Sequence, residues 1–200
     1  MSSRHLRKLV QRSFQNKITE NLRKNSTMTN DQKNHLIEKI TLATINAFSE
    51  LRKKHPLKEF IAFALYSDES AMTVLPSANT KSHLQKMQAE DSDDPLYYKF
   101  STAEWEFEYI GAEYFDDICE YLRNEHESID GDAEFELFQN EVFEICVEVL
   151  SKLKHERFFT SELLVFSVSD YRDTPREVNW IKKLNSKNDA LEFKKWLSEQ

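Results

Sequence analysis

Two short apolar runs limit what this chain can fold into, because both have the length and composition of buried strands. The first is EFIAFALY at 59–66, and the second lies within FFTSELLVFSV at 158–168. Strands that are apolar on both faces are typical of the inside of a sheet, and the segments around these two runs have helical periodicity. We therefore predict an α+β fold in which a small, mostly antiparallel sheet packs against several helices.

The predicted strands lie near 58–66, 71–75, 105–110 and 159–168. The predicted helices lie near 4–24, 30–54, 80–89, 112–125, 132–155 and 189–198. The longest helix places an apolar residue every three or four positions from Phe135 to Leu153, which buries one side of it. Thr29 or Asn30 and Asn79 or Thr80 are the residue types that cap the starts of the second and third helices.

The stretch STAEWEFEYIG, at 101–111, has two interpretations. Its three glutamates alternate with Trp105, Phe107 and Tyr109, which favours a strand near 105–110. Ser101 and Glu104 also have the spacing of a capping box, which favours a helical turn. We prefer the strand, and both remain open at this stage.

We expect residues 1–200 to form one α+β domain, with a basic helical segment at 1–56 packed on its core or extending from it. The length suits a single domain, and the longest unbroken apolar run is far too short to span a bilayer. No apolar signal segment opens the chain, so we expect a cytoplasmic protein. Cys119 and Cys146 both fall on apolar helix faces, which predicts buried, reduced thiols.

Charge is divided unevenly along the chain, although the formal net charge is only −8. Residues 1–58 hold 13 Lys and Arg against 4 Asp and Glu. Residues 59–156 hold 6 against 24. An acidic body of this kind repels phosphates, so we predict neither a nucleic-acid partner nor a membrane partner. The same field would attract a basic protein.

Several kinds of catalytic or cofactor site are excluded by residue usage. Phosphate cradles need several glycines in one turn, and this chain has only Gly111 and Gly131. The six histidines are scattered, with no pair four residues apart, so a zinc site is not expected. We therefore predict no metal, no cofactor and no catalytic residue, although whether the protein is an enzyme stays open.

Glu104, Glu106 and Glu108 admit three explanations. The simplest is the solvated face of a strand, the second is a surface that docks a protein, and the third is a metal or catalytic site. Acidic residues are so abundant here that some must lie close together by chance. Their proximity in sequence is therefore weak support for chemistry.

A series of short motifs adds a resemblance. The series comprises an aromatic FAL strand, a Pro-x-x-Asn-Thr turn, a Glu-Trp pair, a late strand that ends in aspartate, and a Leu-Asn pair. The matching residues are Phe63, Ala64, Leu65, Pro76, Asn79, Thr80, Glu104, Trp105, Asp170, Leu184 and Asn185. Over about residues 57–190, the order and spacing of these motifs resemble those of an uncharacterised bacterial family of similar length, catalogued as a domain of unknown function. In size and acidity it is also similar to bacterial toxin-immunity proteins, an analogy that implies a toxin as partner.

The leading hypothesis is a non-catalytic acidic protein that binds a basic protein, such as a nuclease toxin. The residues predicted to contact that partner are Glu104, Trp105, Glu106, Glu108, Tyr109, Asp116, Asp117, Glu120 and Tyr121. Tyr114 is a further aromatic candidate. The alternatives are an enzyme that uses a polar cluster of Asp68, Glu104 and Asp170, or a regulatory or scaffold module. The oligomeric state is left open.

Overall fold

The computed structural model describes residues 26–169 and 173–199, which form an α+β fold as predicted. The predicted basic helix at 4–24 and the residue Asp170 lie outside the described residues. The helices are α1 (Asn30–Lys54), α2 (Lys81–Glu90), α3 (Pro95–Phe100), α4 (Asp116–Glu127), α5 (Asp132–His155), α6 (Thr174–Leu184) and α7 (Lys187–Glu199). The strands are β1 (Phe60–Ser67), β2 (Val74–Thr80), β3 (Phe107–Glu108) and β4 (Leu163–Val168). Single 3₁₀ turns lie at Thr102–Glu104 and Ala112–Phe115.

The four strands form one mixed sheet in the order β3-β2-β1-β4. Strand β1 pairs antiparallel with β2, placing Leu65 opposite Pro76, and β2 pairs antiparallel with the short β3. Strand β4 lies parallel to β1 on its other side. The predicted mostly antiparallel sheet is therefore confirmed, with a central β1 that is buried on both faces.

Helices cover both faces of the sheet, so the apolar side chains form two cores. Phe63 and Leu65 of β1 point into the larger core, which α1, α4 and α5 complete. The alternate residues Ala62 and Ala64 point into a smaller core with residues of α3, α6 and α7, including Phe100. Alternation along one strand thus supplies both cores, as the period of two in a strand requires.

The two long helices begin and run as their sequences predict. Thr29 is the N-cap of α1, and it exchanges hydrogen bonds with Gln32 in a complete capping box. The predicted helix at 132–155 is confirmed over its whole length as α5. Its apolar side is buried against α1 and β4, which explains why periodicity alone located it.

Four sequence predictions need correction. The strand predicted at 71–75 is β2 at 74–80, which continues through Pro76. Strand β3 pairs only with Ser77 and Ala78, so no β3 residue stands opposite the proline, which has no N–H to donate. The strand predicted at 105–110 exists only at Phe107–Glu108, and a 3₁₀ turn precedes it. The strand predicted from 159 begins at 163, and the helix predicted from 112 opens with a 3₁₀ turn before α4.

Helices α3 and α6 were not predicted, although both begin with an aspartate cap followed by proline. Asp94 accepts from the backbone N–H of Tyr97, and Asp173 accepts from the backbone N–H of Arg176. Proline suits the first turn of a helix because no intrahelical bond is lost there. Asp94-Pro95 and Asp173-Thr174-Pro175 are therefore helix starts.

The outer edge of β4 is closed by one side chain. The Asn185 amide accepts from the backbone N–H of Leu164 at 2.8 Å and donates to its carbonyl oxygen at 2.6 Å.

Among the described residues, no helix has both the length and the apolar content required to cross a bilayer.

Candidate interaction surface

The loop that joins β3 to α4 lies directly on α1. Gly111 has φ +61°, and a Cβ atom at this position would lie 2.8 Å from the Cβ of Ala47. Only glycine permits both this backbone conformation and this close approach. The Tyr114 hydroxyl donates to Glu50 of α1 at 2.6 Å, which fastens the loop at a second point. The position of this part of the chain is therefore set by α1.

Helix α4 continues from this loop along α1 and buries Ile118, Cys119 and Leu122. Its opposite side carries Asp116, Asp117 and Glu120, all exposed as predicted. The two aspartates occupy the first turn, where negative charge stabilises the helix dipole. That local role accounts for two of the acids but not for Glu120, which lies further along the helix.

We define the acidic surface by what its members share, which is exposure on α4 or on the segment that leads into it. Its carboxylates are Glu108, Glu113, Asp116, Asp117 and Glu120, and its aromatic residues are Tyr109 and Tyr114. Tyr109 is 57% exposed and Tyr114 is 38% exposed. Among the described residues these carboxylates form a single ion pair, from Asp117 to Lys39 at 3.8 Å. The surface therefore presents largely uncompensated negative charge beside two aromatic rings.

Four of the predicted contact residues do not lie on this surface: Tyr121 is half-buried, and the side chains of the other three are engaged inside the chain. Glu104 accepts from the Tyr97 hydroxyl at 2.9 Å, and Trp105 is only 4% exposed. Glu106 pairs with Lys58 and accepts from the Thr80 hydroxyl. Burial acts to raise the pKa of Glu106, but these two bonds outweigh it, and the pKa lies below its usual value. Glu104, Glu106 and Glu108 thus do not share one exposed face.

The remaining predicted aromatic residues differ in exposure. Tyr109 adopts a left-handed backbone conformation with φ 55°, which is uncommon for a side-chain-bearing residue. Its ring meets the ring of Tyr66 edge-on, with centroids 5.8 Å apart. Tyr121 is half-buried on α4. Of the predicted aromatic residues, only Tyr109 and Tyr114 are exposed enough to contact a partner without a conformational change.

Two residues of the Pro-x-x-Asn-Thr motif have a structural role that the sequence did not reveal. The Asn79 side chain accepts from the backbone N–H of Thr80 at 2.9 Å and from that of Glu106 at 3.4 Å. Thr80 caps α2 through the backbone N–H of His83 at 3.3 Å. Both residues are buried. This network joins β2, α2 and the segment before β3.

The described members of the alternative polar cluster serve separate purposes. Asp68 accepts from the backbone N–H of Met72 at 3.3 Å and from the Thr73 hydroxyl, which stabilises the turn between β1 and β2. Glu104 instead bonds to Tyr97, and no hydrogen bond joins the two carboxylates within the described ranges. Within those ranges there is also no group of three or more ligand-type side chains arranged to hold a metal.

Two open clefts lie elsewhere on the described part of the chain. One, of about 730 Å³, lies where α5 meets the start of α6 and includes Gln139 and Asp173. The other, of about 260 Å³, lies at the end of α1 between His55 and Glu162. Neither cleft is lined by a residue of the acidic surface.

Comparison with known proteins yields one finding. The model of a family described as "Domain of unknown function (DUF4303)" matches residues 40–186, which include the whole acidic surface. No curated protein and no solved structure matches the chain. The expectation of an uncharacterised domain family is confirmed.

Proposed function

The chain belongs to the DUF4303 family of domains of unknown function, and we propose that it is a non-catalytic binding protein whose acidic surface engages a basic protein. The finer form of the proposal is an immunity protein that neutralises a basic bacterial toxin such as a nuclease. A nuclease must hold phosphates with cationic groups, and clustered carboxylates can occupy the same groups.

The observation that carries the proposal is the combination of charge and exposed aromatic rings on one surface. The surface holds five exposed carboxylates, of which only Asp117 forms an ion pair with a described residue. Exposed charges of one sign steer an oppositely charged partner and raise the association rate. Tyrosines supply contact area at low entropic cost, and they are enriched among residues that dominate binding energy. Tyr109 and Tyr114 lie among these acids.

The internal partners of Glu104 and Glu106 narrow which residues carry the interaction. Reversing the charge of Glu106 would leave Lys58 and Thr80 without their acceptor, which would damage the fold as well as any interface. A clean test therefore changes exposed acids only. We choose Glu108→Lys, Asp116→Lys, Asp117→Lys and Glu120→Lys in one variant.

The matched control reverses four exposed acids outside the acidic surface: Glu90→Lys, Asp93→Lys, Glu156→Lys and Glu199→Lys. Among described residues, the ion pairs of this set are limited to those of Glu90 and Glu199 with lysines on their own helices, at 3.9 and 3.8 Å. Exposed pairs of this kind contribute little to stability. Both variants move the formal net charge from −8 to zero, so solubility and long-range attraction change equally.

The test measures binding to the purified basic proteins encoded beside this gene, by calorimetry at low and high salt. We expect the wild type and the control to bind, and the surface variant to lose about 100-fold or more in affinity. We also expect added salt to weaken the wild-type complex. Equal binding by the surface variant and the control, or adjoining genes that encode no basic protein, would contradict the proposal.

A further inference from the structure

The end of α1 and the loop after it form a second exposed charged feature, of opposite sign. We call it the basic knob, and its residues are Arg52, Lys53, Lys54, Leu57 and Lys58. Leu57 is 100% exposed, the most exposed of the large hydrophobic residues in the described ranges. Lys53 is exposed and has no ion pair with any described residue, whereas Arg52, Lys54 and Lys58 pair with Glu162, Glu50 and Glu106 of the same chain. An apolar side chain surrounded by cations is suited to an acidic partner that also offers apolar contact.

The basic knob lies directly beside the acidic surface. Glu50 connects the two, because it pairs with Lys54 of the knob and accepts from the Tyr114 hydroxyl of the acidic surface. From there α4 runs back along α1, as the contact between Asp117 and Lys39 shows. Each molecule therefore carries two neighbouring patches of opposite charge, each with exposed apolar groups.

We propose that the basic knob of one molecule docks on the acidic surface of a second copy, forming a dimer with two-fold symmetry. In such a dimer the same pair of patches meets twice, because each knob faces the acidic surface of the other copy. Adjacent patches on one side of the molecule are what this arrangement requires. Leu57 would lie near Tyr109 and Tyr114 of the second copy.

The charges favour a second copy over other occupants. A basic protein bound to the acidic surface would match the carboxylates and leave the knob without a partner. A second copy presents positive charge to the acids and negative charge to the lysines, so both patches are matched. The dimer does not depend on a toxin partner, and it would compete with one for the same acidic surface.

A charge exchange tests the dimer by sedimentation of the full chain, without any other protein. The knob variant is Lys53→Glu with Lys54→Glu, and the surface variant is Glu113→Lys with Glu120→Lys. All four residues are exposed, so we expect both variants to fold. At about 25 mM salt we expect the wild type to sediment with twice the 23.7 kDa mass of one chain. Each variant alone should be monomeric, because each places like charges in both contacts.

The mixture of the two variants is the decisive sample. In a mixed dimer, the glutamates introduced at the knob of one variant face the lysines introduced at the acidic surface of the other. At the second contact an unchanged knob faces an unchanged acidic surface. Both contacts then join opposite charges, so a dimer should return. Leu57→Asp should weaken the wild-type dimer by about tenfold or more, and a control with Glu90→Lys and Glu156→Lys should leave it intact.

Three results would overturn the proposal: a wild-type monomer at low salt, a dimer that persists in both charge variants, or an equimolar mixture that remains monomeric. Because these measurements contain no basic partner, they fail or succeed independently of the proposed function. Circular dichroism of each variant shows whether a monomeric variant is still folded, so that a loss of dimer is not mistaken for unfolding.

Discussion

The glutamates of this chain have different environments, and the environment determines whether a glutamate can contact a partner or stabilises the fold. Glu108 is exposed on a short edge strand, whereas Glu106 bonds to Lys58 and Thr80. Glu162 is the most buried glutamate in the described ranges, with a side chain 5% exposed. It accepts from the backbone N–H groups of Thr160 and Ser161, at 2.8 and 3.1 Å, and pairs with Arg52.

Glu162 makes stability depend on pH. Burial acts to raise its pKa, but the backbone donors and Arg52 outweigh burial and hold the pKa below the ordinary value of 4.5. A folded-state pKa below the unfolded value adds stability above that unfolded value, and the gain is lost as pH falls through the folded pKa. We expect Glu162→Gln to lower the free energy of unfolding by about 1–3 kcal/mol near neutral pH.

Urea unfolding from neutral pH down to about pH 3 checks this expectation. The difference between wild type and Glu162→Gln should shrink as the medium becomes acidic. Glu156→Gln, at an exposed position, should stay within about 0.5 kcal/mol of wild type throughout. A difference for Glu162→Gln that is constant with pH would show that its carboxylate charge is not the cause.

At the scale of elements, Thr80 connects a strand to a helix. It is the last residue of β2, the N-cap of α2 and a donor to Glu106. Thr80→Val keeps the shape but removes the hydroxyl, and we expect a loss of about 2 kcal/mol in the free energy of unfolding. Thr80→Ser keeps the hydroxyl and should cost about 1 kcal/mol or less. Equal losses in the two variants, measured by urea unfolding, would show that packing and not hydrogen bonding matters at this position.

The sequence predicted the elements whose apolar residues follow one period along their full length. Helix α5 shows this best, since its apolar residues recur at helical spacing over its full length. Strand β3 and the turn before it were not resolved by sequence, because alternation and a capping box coexist there. Tertiary contacts decide between them: Trp105 enters the smaller core, and Glu106 meets Lys58 from the end of α1.

The candidate surface was predictable only in part, for a similar reason. Exposure of Asp116, Asp117 and Glu120 follows from the apolar stripe on the other side of α4. The pairing of Lys58 with Glu106 joins residues far apart in sequence, and no local pattern signals it. Glu113 was missed because a 3₁₀ turn brings it beside α4. The basic knob was missed because full exposure of Leu57 depends on the tertiary packing around the loop after α1, which no local pattern shows.

On the scale of the whole molecule, the shared sheet couples two cores. Trp180 packs in the larger core against Phe143 and Phe166, while Trp105 and Trp196 belong to the smaller one. Because both cores use alternate residues of the same strands, unfolding of those strands from either side removes the sheet on which the other core packs. The predicted single domain should therefore unfold in one step.

Tryptophan fluorescence can follow each core separately. Trp180→Phe leaves the smaller core as the reporter, and the double variant Trp105→Phe with Trp196→Phe leaves the larger one. In each variant we expect fluorescence and far-ultraviolet circular dichroism to give the same urea midpoint. A fluorescence transition separated from the circular dichroism transition in either variant would indicate two units of independent stability.

The hydrogen bonds of Asn185 to Leu164 also matter for how the protein behaves among other chains. An edge strand offers backbone groups that recruit strands from neighbouring molecules, which is a common route to aggregation. The amide of Asn185 presents one donor and one acceptor to Leu164, as a further strand would, and it comes from the same chain. At Leu164, β4 therefore cannot pair with a strand of another molecule. Association between copies then depends on the charged surfaces, whose attraction changes with salt.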